Sequence, residues 1–336
     1  MIYTVTTNPC IDYYMDLTAP LRVGEINRAG REECRPGGKG VNVAILLARL
    51  GAEACALGFC AGASGGMLRT LLAAAGCRND LTELTGGMTR INVKILGAPE
   101  TAFNGSGPAV DEAALERLLR KLERLTPADT LVLSGNLQPS IADAYARLAR
   151  CAAVAGARLA VDTTGAALLG TLEYRPYFIK PNLDELGELF SCRVESPAHA
   201  LALARRLQDG GAQNVLVSMG AEGALLLAAD GAAYHAVCEA SGEVLSTVGA
   251  GDSLVAGFLS QKDGGPEALR LGVACGSATA LAGRLASAEQ VRKCLELTRC
   301  EQIKEQRLPL AQPIPPIRGK CPEGTKRVGI AVREAD

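Results

Sequence analysis

A glycine-rich run with one carboxylate is the part of this sequence best suited to chemistry. Residues 246–253 read STVGAGDS, and an apolar helical pattern, LVAGFLSQ, follows. Glycines before a helix let the backbone turn several N–H groups toward one point, where they and the positive helix end attract an anion. Asp252 then has two interpretations: a helix N-cap, or a base that takes the proton of a hydroxyl attacking a phosphoryl group. Taken alone, the run fits either.

A second glycine-rich turn precedes another helical pattern. Residues 36–44 read PGGKGVNVA and lead into ILLARLG. Because Gly40 follows Lys39 where a Walker A loop has Ser or Thr, this is not that phosphate-binding loop. The sequence has two interpretations that fit it about equally well. It is either a turn that a polar ligand approaches closely, or a flexible turn whose lysine is solvated.

Three isolated cations could contribute to the same site. Arg28, Lys39 and Arg90 each resemble an ordinary surface charge when taken singly. If they converge on one cleft, they would suit a phosphate ester.

The elements that must position these residues alternate between strand and helix. The strand-like runs are 131–134, 158–162, 177–180 and 214–218. The helical patterns include 111–125, 141–155, 182–190 and 197–208. This alternation predicts an α/β fold with a mostly parallel sheet and helices on both faces. Sites in such sheets lie beyond the carboxyl ends of the strands, where polar residues end several of these runs.

Two segments depart from that rhythm and predict a small separate sheet. Residues 12–35 and 88–104 look like extended strands with turns, and TRINVKI at 89–95 alternates polar and apolar residues as a half-exposed strand does. We expect these strands to form a lid over the site within one domain, residues 1–308. Residues 309–336 are rich in proline and lack periodicity, which predicts a flexible tail.

Composition narrows the function classes. The formal net charge of −1 gives no reason to expect nucleic acid or a membrane as partner, and no stretch of 18 residues lacks a charge. The first ten residues carry no basic and apolar secretion signal, and the 12 cysteines are scattered singly. We therefore expect a reduced, cytoplasmic protein. With only two histidines, a Ser-His-Asp triad or a histidine-rich metal site is disfavoured.

The motifs together resemble the ribokinase/PfkB family of sugar kinases. STVGAGDSLVAGF and PGGKGVNVA are similar to the family's two signatures. The other matching segments, in the family's order and spacing over about residues 1–300, are TTNPCIDY, TRINVKI, FNGSGP, DTTG, KPNLDELGELF, VSMGAEGALL and LGVACGSATA. The resemblance implies a ribokinase-like three-layer sandwich with a β-sheet lid, and ATP and Mg²⁺ as cofactors.

The resemblance also implies a role for each matching residue. Asp252 would be the catalytic base, and the N–H groups of Gly249, Ala250 and Gly251 would form an anion hole. Sugar hydroxyls would be bound by Asp12, Gly38 and Asn42, and the phosphate already on the substrate by Arg28, Lys39 and Arg90. The nucleotide would be bound by Lys180, Asn182, Ser218, Gly220, Gly223 and Thr247. Asn182 and Glu185 would act on Mg²⁺, usually through water, although by themselves they predict only a helix cap after Pro181.

The start of the chain, TRINVKI and FNGSGP most resemble family members that phosphorylate D-fructose 1-phosphate with ATP to give fructose 1,6-bisphosphate. Three alternatives stay open: a tagatose-6-phosphate kinase, a 6-phosphofructokinase, and a non-catalytic sugar-phosphate sensor. The sequence departs from the family pattern at Asn136 and in the polar-poor segment 281–291. An exposed lid strand could also pair with a second subunit, so a homodimer through the lid is one expectation.

Overall fold

The computed structural model describes residues 1–96 and 101–303. The strands are β1 (Ile2–Thr6), β2 (Cys10–Leu17), β3 (Ala29–Gly37), β4 (Ala54–Ala61), β5 (Arg78–Asn79), β6 (Thr82–Leu84), β7 (Arg90–Leu96), β8 (Thr101–Asn104), β9 (Thr130–Ser134), β10 (Arg158–Asp162), β11 (Phe178–Ile179), β12 (Asn214–Ser218), β13 (Ala224–Leu227), β14 (Ala233–Cys238) and β15 (Thr298–Gln302). The α-helices are α1 (Lys39–Arg49), α2 (Gly62–Ala74), α3 (Glu112–Leu122), α4 (Ala144–Ala155), α5 (Gly165–Leu169), α6 (Leu183–Phe190), α7 (Pro197–Asp209), α8 (Ala250–Leu259), α9 (Pro266–Ala282) and α10 (Ala288–Glu296).

In the large sheet, the carboxyl ends of the parallel strands, which carry most of the site residues, all point the same way. Its order is β15-β14-β13-β12-β11-β10-β9-β1-β4-β5, with β6 also paired to β4. From β12 to β5 the neighbouring strands are parallel, and the pairs β12–β13, β13–β14 and β14–β15 are antiparallel. The predicted, mostly parallel sheet is confirmed.

Helices cover both faces of this sheet, because its strands are apolar on both sides. Buried side chains of α3, α4, α6 and α7 pack on one face. Those of α1, α2, α8, α9 and α10 pack on the other. The result is the expected three-layer sandwich.

The second sheet forms the predicted lid. Its order is β3-β2-β7-β8, with β2 and β7 parallel and the outer pairs antiparallel. The segment 18–28 between β2 and β3 contains no strand, in keeping with the strands and turns predicted over 12–35. Two of its apolar side chains, Val23 and Ile26, are 94% and 85% exposed.

Two further expectations bear on the chain's ends and its environment. The predicted domain boundary at residue 308 and the tail at 309–336 lie outside the described residues. Within the described ranges, no helix is both long enough and apolar enough to cross a membrane.

Candidate active site

Asp252 lies in the first turn of α8, inside the protein. Gly249 is the N-cap residue, with a left-handed φ of 78° that favours glycine, and no side-chain hydrogen bond caps the helix. Asp252 is only 6% exposed, and its Oδ2 accepts a 2.8 Å hydrogen bond from Asn42 Nδ2 of α1. The N-cap interpretation of Asp252 is therefore wrong, because the capping position belongs to Gly249 and the carboxylate bonds elsewhere.

The surroundings of Asp252 raise its pKa toward neutral pH. Burial and the negative charge of Asp162 raise its pKa to about 6, against the opposing effects of Asn42, Lys39 and Lys180. A carboxylate with a pKa near the working pH is well matched to general-base catalysis.

The turn before α8 offers backbone N–H groups to an anion. The N–H of Ala250 already donates to the Thr247 carbonyl at 3.2 Å. In the described structure the N–H groups of Gly249 and Gly251 have no backbone acceptor, as is usual at a helix start. A Cβ added to Gly251 would lie 3.6 Å from Lys180 Nζ, so an ammonium group is close to this turn. Two of the three predicted N–H groups are thus available to a ligand.

Asp162 and Lys180 form a buried ion pair where two adjacent strands end. Asp162 ends β10, Lys180 follows β11, and Lys180 Nζ lies 3.0 Å from Asp162 Oδ1. The contact does not have hydrogen-bond geometry, and both Asp162 oxygens are buried without a hydrogen-bond partner among the described residues. Burial alone would lower the pKa of Lys180, but the charges of Asp162 and Glu185 raise it overall. Lys180 therefore remains charged.

Lys39 connects this pair to the second glycine-rich turn. Its Nζ lies 3.9 Å from Asp162 Oδ1 and 4.0 Å from Glu185 Oε1. We did not single out Asp162 from the sequence, although DTTG was one of the matching motifs. Its position at the polar end of a buried strand was the available signal.

The predicted Mg²⁺ residues form a helix cap in the structure. Asn182 Oδ1 accepts from the Glu185 N–H at 2.8 Å, and Glu185 Oε2 accepts from the Asn182 N–H at 2.9 Å, which completes a capping box. The cap predicted from these residues alone is confirmed. Among the described residues no group of three His, Cys, Asp or Glu side chains could enclose a metal.

The cleft nevertheless fits a hydrated magnesium ion. Glu185 Oε1 lies outside the capping box, and the Asp162 oxygens lack hydrogen bonds. Hard oxygen ligands supplemented by water and substrate phosphates are what Mg²⁺ usually takes in phosphoryl-transfer sites.

The lid supplies the opposite wall of the cleft. Asp12 on β2 accepts a 2.9 Å hydrogen bond from Asn92 Nδ2, and its Oδ2 lies 3.6 Å from Lys94 Nζ. Although burial opposes it, the charges of Asp12 and Tyr14 raise the pKa of Lys94, so Lys94 stays protonated. We did not assign Asn92 or Lys94 from the sequence. The polar face of TRINVKI was the signal, since residues 90, 92 and 94 share one side of a strand.

Of the predicted substrate cations, two reach the cleft and one does not. Lys39 and Arg90 line it, and Arg90 Nε donates to the Asn8 carbonyl at 3.1 Å. Arg28 lies in the segment before β3 and is not among the lining residues. Gly38 and Asn42 also line the cleft, as predicted for sugar contacts.

The cleft, about 950 Å³ in volume, continues from the base toward β12 and β14. The predicted nucleotide residues all line it, namely Lys180, Asn182, Ser218, Gly220, Gly223 and Thr247. Gly223 has φ +80°, and a Cβ there would lie 2.0 Å from the Ala236 carbonyl oxygen. An apolar stretch of the wall is built from Cys238, Ala240, Val244, Val273 and Leu281.

Neither departure from the family pattern removes a wall of the cleft. The Asn136 carbonyl accepts a 3.1 Å hydrogen bond from Thr7 Oγ1, and Asn136 is not a lining residue. Of the segment 281–291, only Leu281 lines this cleft.

The structure combines a three-layer α/β sandwich, a lid, and a buried carboxylate at a helix start with ammonium groups around it. This combination is typical of phosphotransferases with an alcohol acceptor. The pfkB family carbohydrate kinase model matches residues 5–290. The chain therefore belongs to the pfkB family of carbohydrate kinases, and it is a sugar kinase.

Individual relatives resemble the chain over most of its length. It is 38% identical to 1-phosphofructokinase of Bacillus subtilis, over 88% of this chain and 97% of the relative. It is 35% identical to D-tagatose-1-phosphate kinase of Bacillus licheniformis, over 89% and 99%. Among solved structures, phosphofructokinase-2 from Escherichia coli in complex with fructose-6-phosphate is 29% identical, with a TM-score of 0.79 over 88% of this chain and 98% of that one.

Proposed function

We propose that this kinase transfers the γ-phosphoryl group of ATP to the C6 hydroxyl of D-fructose 1-phosphate, giving fructose 1,6-bisphosphate and ADP. The observation that carries the proposal is the buried Asp252 beside the available N–H groups of Gly249 and Gly251. The likeness to 1-phosphofructokinase of Bacillus subtilis supports the choice of sugar phosphate.

In this mechanism Asp252 accepts the proton of the C6 hydroxyl. The hydroxyl oxygen forms a bond to the γ-phosphorus in line with the bond to the β,γ-bridging oxygen, which breaks and leaves with ADP. Asn42 holds the carboxylate through its 2.8 Å hydrogen bond and so fixes the direction of proton transfer. The charge that spreads over the transferring group meets the N–H groups of Gly249 and Gly251 and the Lys180 ammonium.

The lid wall holds the sugar phosphate. Asp12 accepts hydrogen bonds from sugar hydroxyls, with Gly38 and Asn42 beside it. Arg90 and Lys39 are cations of the cleft that can pair with the 1-phosphate. Arg28 would need a movement of the segment before β3, or a second subunit, to reach the same phosphate.

The opposite end of the cleft holds the nucleotide. Ser218 ends β12, Gly220 and Gly223 follow it, and these three line the cleft with Thr247, which supports a role in binding the nucleoside. Lys180 and Asn182 also line the cleft and would contact the phosphates. Mg²⁺ would be held by Glu185 and Asp162, through water, and when bound it neutralises charge on the ATP phosphates. The lid excludes water from the site, which limits wasteful hydrolysis of ATP.

A comparison of substrates tests this proposal. We expect kcat/KM for D-fructose 1-phosphate to exceed those for D-tagatose 1-phosphate, D-tagatose 6-phosphate and D-fructose 6-phosphate by about tenfold or more, the scale of one lost polar contact. D-tagatose 1-phosphate is the closest competitor, because the Bacillus licheniformis relative bears that name. A preference for either 6-phosphate would overturn the proposal. Tight binding without ADP release from all four would favour a sensor.

We also propose a homodimer through the lid and a cytoplasmic location. Val23 and Ile26 of the lid segment are almost fully exposed apolar side chains, which suits contact with another subunit. The described cysteines are all unpaired thiols, in keeping with a reducing compartment. Sedimentation analysis that finds only monomer at micromolar concentration would contradict the dimer.

A further inference from the structure

The turn between α9 and α10 touches the glycine turn before α8. It spans residues 283–287 and belongs to the polar-poor segment that departs from the family pattern. A Cβ placed on Gly249 would lie 3.1 Å from Leu285 Cδ2, so the Leu285 side chain closes the space beside the N-cap residue. The neighbouring Ala286 N–H donates to Thr279 Oγ1 at 3.2 Å, and Thr279 Oγ1 lies 2.8 Å from Ser253 Oγ of α8.

Arg49 binds this turn from the other side. It is in the last turn of α1, and its Nη1 donates to the carbonyl oxygens of Leu285 and Ala286, the latter at 3.1 Å. A guanidinium group that bonds two adjacent carbonyl oxygens fixes their direction better than a single neutral donor would. Burial and the nearby charge of Arg284 lower the pKa of Arg49. The guanidinium group therefore occupies this position although its surroundings disfavour a positive charge.

The same helix face also carries the residue that holds the base. Asn42 and Arg49 are seven residues apart, two helical turns, so they lie on one face of α1 roughly 10 Å apart along its axis. Asn42 bonds Asp252 on one side of the glycine turn, and Arg49 bonds the Leu285 turn on the other. Helix α1 therefore contacts both Asp252, which follows the glycine turn, and the 283–287 turn that packs against it.

We infer that Arg49 is a positioning residue for phosphoryl transfer: by holding residues 285–286 it keeps Leu285 against Gly249 and so fixes the N–H groups of the anion hole. The inference rests on the proposed function, because it concerns the same anion hole. Arg49 is not among the residues that line the cleft, and its effect passes through Leu285.

Arg49→Met tests the inference, because methionine keeps an apolar stem of similar length but makes no hydrogen bond to a carbonyl. We expect kcat to fall about tenfold while KM for ATP and for the sugar phosphate changes less than about twofold, since the loss is felt only in the transition state. Arg49→Lys retains a cation and should recover at least part of kcat. Guanidinium chloride below denaturing concentration should restore part of the activity of Arg49→Met, and urea at the same concentration should not.

Arg284→Met is the matched control. Arg284 lies in the same turn, and in the described structure its side chain makes no hydrogen bond or ion pair. It acts on Arg49 only through its positive charge, which lowers the pKa of Arg49, so its removal should not weaken the hold of Arg49 on the turn and kcat should not fall. Equal kcat values for the two methionine variants, or a loss that neither lysine nor guanidinium recovers, would overturn the inference. If the unaltered protein failed to phosphorylate any of the four sugar phosphates, the proposed function would fall first, independently of Arg49.

Discussion

The two walls of the cleft hold their charges in different ways. On the sheet wall, the side chains of Asp162 and Lys180 are 1% and 5% exposed, Asp252 is also buried, and all three sit at strand or helix ends of the sandwich. On the lid wall, Asp12 and Lys94 each retain 12% side-chain exposure, and they lie on neighbouring strands of the separate four-stranded sheet.

This difference separates two tasks. Burial and the charge of Asp162 raise the pKa of Asp252 to about 6, and the charges of Asp162 and Glu185 keep Lys180 protonated although burial opposes it. A fixed apparatus for proton and phosphoryl transfer needs both. Asp12 contacts Asn92 and Lys94 on the neighbouring lid strand, so the charges of the lid are paired within the lid. We therefore expect changes in the sheet wall to alter turnover and changes in the lid to alter sugar affinity.

The largest effect is expected at the base. Asp252→Asn keeps the shape of the side chain but cannot accept the hydroxyl proton, so kcat should fall at least about a hundredfold, with ATP affinity nearly unchanged. Initial rates of ADP release and calorimetric titration with ATP measure the two quantities. Asp209→Asn at the exposed end of α7 is the control and should behave like the unaltered protein. Turnover of Asp252→Asn close to that of the control would remove Asp252 from the mechanism.

The sheet wall was also the more predictable of the two from sequence. Short apolar runs ending in polar residues predicted β9, β10 and β12 within a residue of their observed bounds. The glycine turn before α8 indicated where the base lies. The ion pair between Asp162 and Lys180 was not predicted, because it depends on β10 and β11 being neighbours in the sheet. The pattern of apolar residues predicts single strands but does not specify their order.

The lid was predicted as a sheet but not as a set of contacts. Asp12 meets Asn92 because β2 and β7 pair in parallel, across 80 residues of sequence. A shift of register by one residue would turn Lys94 away from Asp12, and nothing local in TRINVKI specifies that register. Strands with turns were predicted over 12–35, but the sequence did not show where the turn region lies: 18–28 holds no strand, and Val23 and Ile26 there are exposed.

A lid variant should have a smaller effect of a different kind. Lys94→Met removes the positive charge 3.6 Å from Asp12 Oδ2 and leaves that carboxylate without its nearest cation. We expect KM for the sugar phosphate to rise about tenfold, the scale of one charge-assisted contact, with KM for ATP and kcat within about twofold. Steady-state kinetics with each substrate varied in turn measure this. Lys293→Met, which loses only an exposed pair with Glu289, is the control. A fall in kcat with sugar KM unchanged would contradict the division of tasks between the walls.

The smallest effect concerns pH. Because the pKa of Asp252 is about 6 and its ionised form is the base, kcat/KM should be level above pH 6 and fall about tenfold per unit below it.

Asp162 contributes to that raised pKa through its negative charge. In Asp162→Asn the pKa of Asp252 should therefore drop, and the acid limb should move about half a unit toward lower pH. The plateau of this variant should also be lower, since Asp162 is a candidate partner of the hydrated magnesium ion. The position of the limb, with each profile scaled to its own plateau, separates the two effects. A limb that stays in place would show that burial alone sets the pKa of the base, and that the two carboxylates of the sheet wall act independently.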